Sequence, residues 1–360
     1  MEYKIVWITA NYFIDVDRQL VPFLREKYHI GILWFVLQMP QSAKVPPHED
    51  YRILQLHYRN KDPRTYFEVI AYLKKIDVSG CRLIYSDALG MMYYTALLHW
   101  AGHIPVIHAA HNVIPYPVWP MALKMDVKYI FTRCRYFQLF SKHTADWFKE
   151  HYPRKSFFYA PMVVKDFGSV RTQHFTFEPD KVNLLFFGNV MGNKRLDLLI
   201  EAMKKLPKEV ADRVHLNICG KCKEKEKFLA MIGEATNITA DFRRIEDDEI
   251  PELFVKSHYL MLPYEDVAQS GPHMIAYNYN LPVIASDIDG FAERVVDGEN
   301  GFLFKRNNVE SLVAVIVKAA KMEKSEYLKL KMNLKKYTEE NFGLEAVSVK
   351  YVEYFKNILR

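Results

Sequence analysis

The feature that most constrains this chain is a pattern that runs through it twice: short apolar runs of strand length, each followed by a stretch with helical spacing. In the first series the strands fall at 4–10, 31–37, 52–57, 82–86, 105–109, 128–131 and 157–160. Helices fall at 17–27, 63–75, 89–100 and 138–151. Strands separated by helices imply a parallel sheet with helices on both faces. Residues 164–181 hold no sustained apolar period and read as a linker. The alternation then restarts, with strands at 183–187, 213–219, 238–242, 259–263 and 282–286. Its helices fall at 196–205, 223–233, 250–257, 309–322, 325–341 and 344–359. The expected fold is therefore α/β, with two Rossmann-like domains, 1–168 and 169–343. Strand C-termini of both halves should face a cleft, where α/β proteins bind ligands.

A length of 360 residues suits two domains. Half of the residues are hydrophobic, which is material for two cores. There is no basic leader followed by an apolar core, and no apolar run of spanning length. Cysteines number 4, too few for a disulfide scaffold. The expectation is a cytoplasmic protein.

Charge is uneven. Residues 1–168 hold 21 Lys/Arg against 14 Asp/Glu, while the remainder holds 28 against 29. The basic excess coincides with an aromatic-rich region, 116–158. Two readings stand: a surface that meets anionic lipid headgroups at the inner face of a membrane, or solvated helices with a buried aromatic face.

Chemistry concentrates after strand ends. The turn Gln269-Ser270-Gly271-Pro272 follows one apolar run and opens a helix. Pro272 suits the first helical position, and Ser270 or Gly271 the cap. Free N–H groups at such a place cap the helix and can also hold an anion such as phosphate. The second half opens LLFFGNVMGNKRLDLLIEA, a strand ending at Gly188 with Lys194 on the following loop. GxxxGxK is neither GxGxxG nor a P-loop, which disfavours nicotinamide and P-loop chemistry. Lys194 is then a solvated loop lysine or a cation for a diphosphate.

His111 follows the strand 105–109, where α/β enzymes place working residues. His108 lies inside that strand and reads as a buried structural histidine. The pair does not match H-E-x-x-H, so no metal is expected there. Cys219 and Cys222 form a C-x-x-C without the second pair that a zinc site needs. Asp287/Asp289 and Asp15/Asp17 are D-x-D pairs, read as loop carboxylates.

Together these residues resemble the family 4 retaining glycosyltransferases of the bacterial surface-polysaccharide type, which have the GT-B architecture. The matching pieces are FFGNVMGNKRLDLLIEA, HLNICG, DDEIPELFVKSHYLMLPY and QSGPHMIAYNYNLPVIASDIDGFAERVVDGENGFLF. The resemblance implies that 169–343 is the nucleotide-sugar half and 1–168 the acceptor half, with the C-terminal helix 344–360 packed back on the latter. It implies donor contacts from Gly188, Asn189, Lys194, Gly220, Glu265, Gln269, Ser270 and Gly271. His111 would lie near the donor sugar, and with Lys194 would serve the transfer. Asn11, Tyr12 and Asn112 fall on the acceptor side. No cofactor and no metal are implied; the partners are a nucleotide-sugar donor and a saccharide acceptor, lipid-linked or free, with no nucleic acid.

The sequence departs from the family in three respects. Val267 and Ile275 stand where glutamates are usual, and Asn189 where an arginine is usual. No glycine-rich loop follows the first strand, since ITANYFIDVD has no glycine. Glu265 or Asp266 is the nearest substitute for the ribose-holding glutamate. Two alternatives remain: an inactive GT-B saccharide-binding or scaffold protein, and a GT-B nucleotide-sugar epimerase.

Overall fold

The computed structural model describes residues 4–40, 42, 44–59, 61–76, 80–111, 113–115, 119–170, 181–267 and 269–360. The chain divides into two compact units, Met1–Val163 with Gly343–Arg360, and Val164–Phe342.

The first unit carries the strands β1 (Lys4–Ala10), β2 (Gly31–Gln38), β3 (Arg52–Gln55), β4 (Cys81–Ser86), β5 (Val106–Ala110), β6 (Tyr136–Leu139) and β7 (Ser156–Tyr159). They form one sheet in the order β3-β2-β1-β4-β5-β6-β7. Every pairing in it is parallel. The helices α1 (Ile14–Tyr28), α2 (Arg64–Leu73), α3 (Met91–Ala101), α4 (Met121–Arg133) and α5 (Lys142–His151) connect them. A parallel sheet covered on both faces needs strands that are apolar throughout rather than alternating. β1 meets that need, being buried from Ile5 to Ala10.

One stretch corrects the sequence reading. Residues 128–131 lie inside helix α4, not in a strand. Val127, Ile130 and Phe131 are its buried residues, a spacing that fits one helix face. The strand is β6, so Gln138 is a strand residue and not the start of a helix. Ser141 starts α5 instead, its hydroxyl accepting from the Thr144 N–H at 3.2 Å. Gln138 is buried and fully engaged: it accepts from the Tyr85 hydroxyl at 2.5 Å and donates to the Tyr351 hydroxyl at 2.6 Å.

The second unit runs β8 (Val182–Phe187), α6 (Leu196–Lys204), α7 (Lys208–Ala211), β9 (Val214–Cys219), α8 (Lys225–Ile232), β10 (Ile238–Asp241), α9 (Ile250–Val255), β11 (Tyr259–Leu262), α10 (Gly271–Asn278), β12 (Val283–Ser286), α11 (Asp289–Ala292), β13 (Gly301–Phe304), α12 (Val309–Ala320) and α13 (Lys324–Phe342). Its parallel sheet has the order β10-β9-β8-β11-β12-β13. Phe186, Leu199, Ile218, Met261, Ile284 and Phe302 are among its core residues. The first residues after Val163 are tied into this unit: Val164 N–H donates to the Phe342 carbonyl at 3.2 Å, Lys165 N–H to that of Met274 at 3.3 Å, and Phe167 N–H to the Tyr279 hydroxyl at 3.0 Å.

The last helix, α14 (Leu344–Leu359), belongs to the first unit. Tyr351 stacks with Trp7 at 5.9 Å, and the Tyr354 hydroxyl meets that of Ser156 at 2.9 Å. Each sheet reverses its strand order once, between β1 and β4 in the first unit and between β8 and β11 in the second. Loops at such a reversal splay apart and leave a crevice for a ligand.

Candidate functional site

The reversal in the second unit is built on glycine. Gly188, just past β8, has φ +100°, and Gly220, just past β9, has φ +148°. A Cβ on Gly220 would stand 2.1 Å from the Gly188 carbonyl oxygen, so the two loops press backbone on backbone. Only glycine permits both the approach and the dihedral. The chain then turns through a short 3-10 segment, Gly192–Lys194, and through Arg195 at φ 48°. That turn folds Lys194 back over the strand end. Its Nζ lies 3.1 Å from the point where a Cβ on Gly188 would stand, and Cγ of Pro272 lies 3.4 Å from the same point. The Nζ also lies 5.4 Å from the centre of the Tyr264 ring. Burial alone pushes this ammonium down, to about 8. Among the described residues no carboxylate offsets it.

Helix α10 begins beside this ammonium. Ser270 caps it, accepting from the His273 N–H at 3.4 Å. Pro272 has no N–H, so the amides of Ser270 and Gly271 are the donors left at this end. A third group arrives from the segment that precedes β8. Lys165 is only 8% exposed, and its Nζ lies 3.3 Å from the point where a Cβ on Gly271 would stand. Two ammonium groups therefore flank the Gly271-Pro272 turn, where the helix dipole is positive. No signal in the sequence marked Lys165, a lone lysine in an aperiodic stretch.

The loops after β8 and β11 are stitched together. Glu265 N–H donates to the Asn193 carbonyl at 2.8 Å, and Asn193 Nδ2 donates to Asp266 Oδ1 at 3.3 Å. The exposed Glu265 carboxylate accepts from Asn307 Nδ2 at 3.3 Å. Ile275 is buried in α10, and a Cβ on Gly290 would meet the Val267 carbonyl at 2.0 Å. Both positions that depart from the family pattern are thus packed by apolar or backbone neighbours. Asn189 is exposed. Gln269 has a buried Oε1 with no hydrogen-bond partner among the described residues.

In the first unit, His111 lies just past β5, its ring between Phe13 at 3.6 Å and Phe140 at 4.2 Å, stacked on both. Asn11 is buried at the end of β1; its Nδ2 donates to Ser42 Oγ at 2.8 Å. Tyr12 beside it is 45% exposed. Asn112 lies outside the described residues. His108 is buried and bonded to the Tyr94 hydroxyl at 2.5 Å, and burial pushes it down to about 3, so it stays neutral. Phe131, Phe137 and Phe148 form a buried aromatic cluster with ring centres 4.9–5.3 Å apart. Much of the aromatic content of 116–158 is therefore core. The surface there exposes Met121, Met125 and Lys128.

The other candidates gain little. Burial pushes the Cys219 thiol up to about 11, the opposite of a reactive thiolate. Asp17 accepts from Trp7 and Thr9 inside the first unit, and Asp287 accepts from the Arg306 N–H at 2.7 Å. Among the described residues no group of three metal-ligating side chains gathers. No helix among them is long and apolar enough to cross a membrane.

Two Rossmann-like units with a closing helix returned to the first define the GT-B class of fold. Sucrose-phosphate synthase from Thermosynechococcus elongatus has a similar structure, with TM-score 0.77 at 16% identity, covering 99% of each chain. Anabaena HepE, solved in complex with UDP and glucose, gives 0.72 at 13%, covering 99% of this chain and 100% of that one. In sequence, residues 171–341 match the family model described as glycosyl transferases group 1. An uncharacterized glycosyltransferase of Methanocaldococcus jannaschii is 26% identical over 183 residues, which is 50% of this chain and 46% of that protein. The match thus spans less than half the length of that relative.

Proposed function

We propose that the chain is a retaining glycosyltransferase that moves a sugar from a nucleoside-diphosphate sugar to a saccharide acceptor. The observation that carries this reading is the partly buried Lys194 ammonium, without a counter-charge among the described residues, beside the N-terminus of α10. Burying a cation costs free energy unless an anion joins it. A diphosphate is an anion of the right size, and the β8/β11 reversal is where such a fold holds one. The match of residues 171–341 to glycosyl transferases group 1 supports the same reading.

In the transfer, the bond from the anomeric carbon to the diphosphate oxygen breaks as the acceptor hydroxyl oxygen bonds to that carbon. The departing diphosphate gains negative charge. Lys194, the Ser270 and Gly271 amides and the α10 dipole face that charge and hold it lower in the transition state than in the donor. The acceptor proton passes to the leaving phosphate on the same face, so configuration is retained. His111, held flat between Phe13 and Phe140, is assigned to the donor sugar, and Asn11, Tyr12 and Asn112 to the acceptor side. The exposed Met121 and Met125 beside Lys128 give the first unit a surface for a lipid-linked acceptor at an anionic membrane. Gain of a glycosidic product with unchanged anomeric configuration, read by NMR, supports the assignment; an inverted product contradicts retention. Vesicles with anionic lipid should retain the protein at low salt, and indifference to them removes the membrane part.

A further inference from the structure

We infer that Arg195 is a positioning residue for the Lys194 ammonium: its guanidinium locks the turn that folds this lysine over the end of β8. This rests on the proposed donor reading and extends it to a residue that meets no ligand itself.

The backbone of Arg195 stands at φ 48°. For a residue with a side chain that conformation costs free energy, because its Cβ crowds the following carbonyl oxygen. Glycine would adopt it freely. The turn requires it all the same. The Arg195 N–H closes the 3-10 segment on the Gly192 carbonyl at 3.2 Å, and its own carbonyl accepts from the Leu199 N–H at 3.4 Å, at the start of α6. The change of direction between these two bonds carries Lys194 back over Gly188.

The side chain accounts for an arginine in this position. Its guanidinium forks onto Asp197, with Nε donating to Oδ1 at 3.1 Å and Nη2 to Oδ2 at 2.9 Å. Such a planar pair fixes the orientation of both partners. Asp197 stands in the first turn of α6, where the helix dipole also favours a carboxylate. The remaining nitrogen, Nη1, donates to Oδ1 of Asn307 on the loop after β13. Asn307 Nδ2 donates to the Glu265 carboxylate on the loop after β11 at 3.3 Å. The Glu265 N–H returns to the Asn193 carbonyl at 2.8 Å. These bonds form a circuit from Arg195 through Asn307 and Glu265 to Asn193, and the chain closes it through Lys194. The lysine is thus pinned on both sides, by the loops after β8, β11 and β13. Next to Glu265 is Tyr264, whose ring centre lies 5.4 Å from the Lys194 ammonium. The same circuit therefore sets the lysine against its aromatic neighbour. One bond between exposed groups contributes little, but a circuit across three loops limits where one side chain can go.

Fixing Lys194 has a chemical consequence. Held in this turn, the ammonium is kept partly out of water, and burial pushes it down to about 8. Released, it would swing toward solvent and regain the ordinary lysine range. A diphosphate would then have to order the side chain as it bound, at a cost in affinity.

The test is calorimetric binding of UDP, GDP and ADP to the full chain and to Arg195→Gly, near pH 8 and in buffers of different ionisation enthalpy. Glycine keeps the dihedral and removes the guanidinium. The expected result is a diphosphate affinity about tenfold weaker, with less proton uptake than in the unaltered chain, because the released ammonium is already charged. Affinity and proton uptake both unchanged overturn the role of Arg195 and leave the donor reading standing. Weaker affinity with full proton uptake means that the guanidinium meets the ligand itself, and it overturns the positioning role. Failure of the unaltered protein to bind any of the three nucleotides overturns the donor reading and this inference with it. Where Arg195→Gly does not fold, Asn307→Gly takes its place. It opens the circuit outside the turn, at a φ of 56° that glycine adopts freely. Weaker binding with reduced uptake there supports the inference, and unaltered values overturn it.

Discussion

The ammonium of Lys194 stands 3.1 Å from the point a Cβ on Gly188 would occupy. The strand end and the cation are therefore one device: the glycine makes the space, and the lysine fills part of it. Gly188→Ala should disturb both. At φ +100° an alanine is strained, and its methyl displaces the lysine. The expected outcome is a stability loss of about 1–3 kcal/mol in thermal unfolding, with nucleoside-diphosphate affinity at least several-fold weaker. Unaltered affinity would separate Lys194 from the ligand.

Gly220→Ala should be worse for stability. Its methyl would stand 2.1 Å from a backbone oxygen, which cannot swing away as a side chain can. A loss of about 3 kcal/mol or more is expected from strain and overpacking, read by denaturant unfolding of the whole chain. Native-like stability would mean that the two loops do not hold each other as described.

Binding should depend on pH through Lys194. With its ammonium pushed down to about 8 by burial, the charged form predominates below that pH and is lost as pH rises through it. Affinity for a diphosphate should fall over this range, and binding near pH 8 should take up protons. An anion beside the ammonium raises its proton affinity. Titrations in buffers of different ionisation enthalpy measure the uptake, and Lys194→Met should abolish it. In the absence of added nucleotide, the protein should gain stability from this group as pH rises from about 8 toward the ordinary lysine range. There the unfolded chain binds a proton that the folded chain lacks.

His111→Ala should leave nucleotide binding within a few-fold and reduce transfer by about 10²-fold or more. Steady-state kinetics with donor and acceptor varied in turn would check this. Equal losses in donor affinity and turnover would make the histidine a packing residue between Phe13 and Phe140.

Tyr351→Phe probes the return of the last helix. The hydroxyl accepts from the buried Gln138 Nε2 at 2.6 Å, and its loss leaves that donor short of a partner. A cost of about 1–3 kcal/mol is expected in thermal unfolding, without a change in nucleotide affinity.

Most of the fold was legible because its strands are continuous apolar runs bounded by turns, as in KIVWITA and VNLLFF. The failure at 128–131 has a plain cause. KYIF is as apolar as a short strand, and its helical face shows only when Val127 is read with Ile130 and Phe131. Strand β13 is four residues long and follows a turn directly, so period alone did not mark it. The site divides the same way. Lys194, Ser270 and Gly271 lie on local strand-loop-helix patterns, which a sequence displays. Lys165 reaches Gly271 across more than a hundred residues of chain, a proximity visible only once the fold is in place.

The most direct test of the account is a thermal-shift comparison of UDP, GDP and ADP on the full chain and on Lys194→Ala. A ligand that binds the folded state raises its apparent stability. The account predicts that at least one nucleotide raises the Tm of the unaltered chain and that the shift is largely lost in the variant. No shift with any of the three, or an equal shift in both proteins, would contradict it.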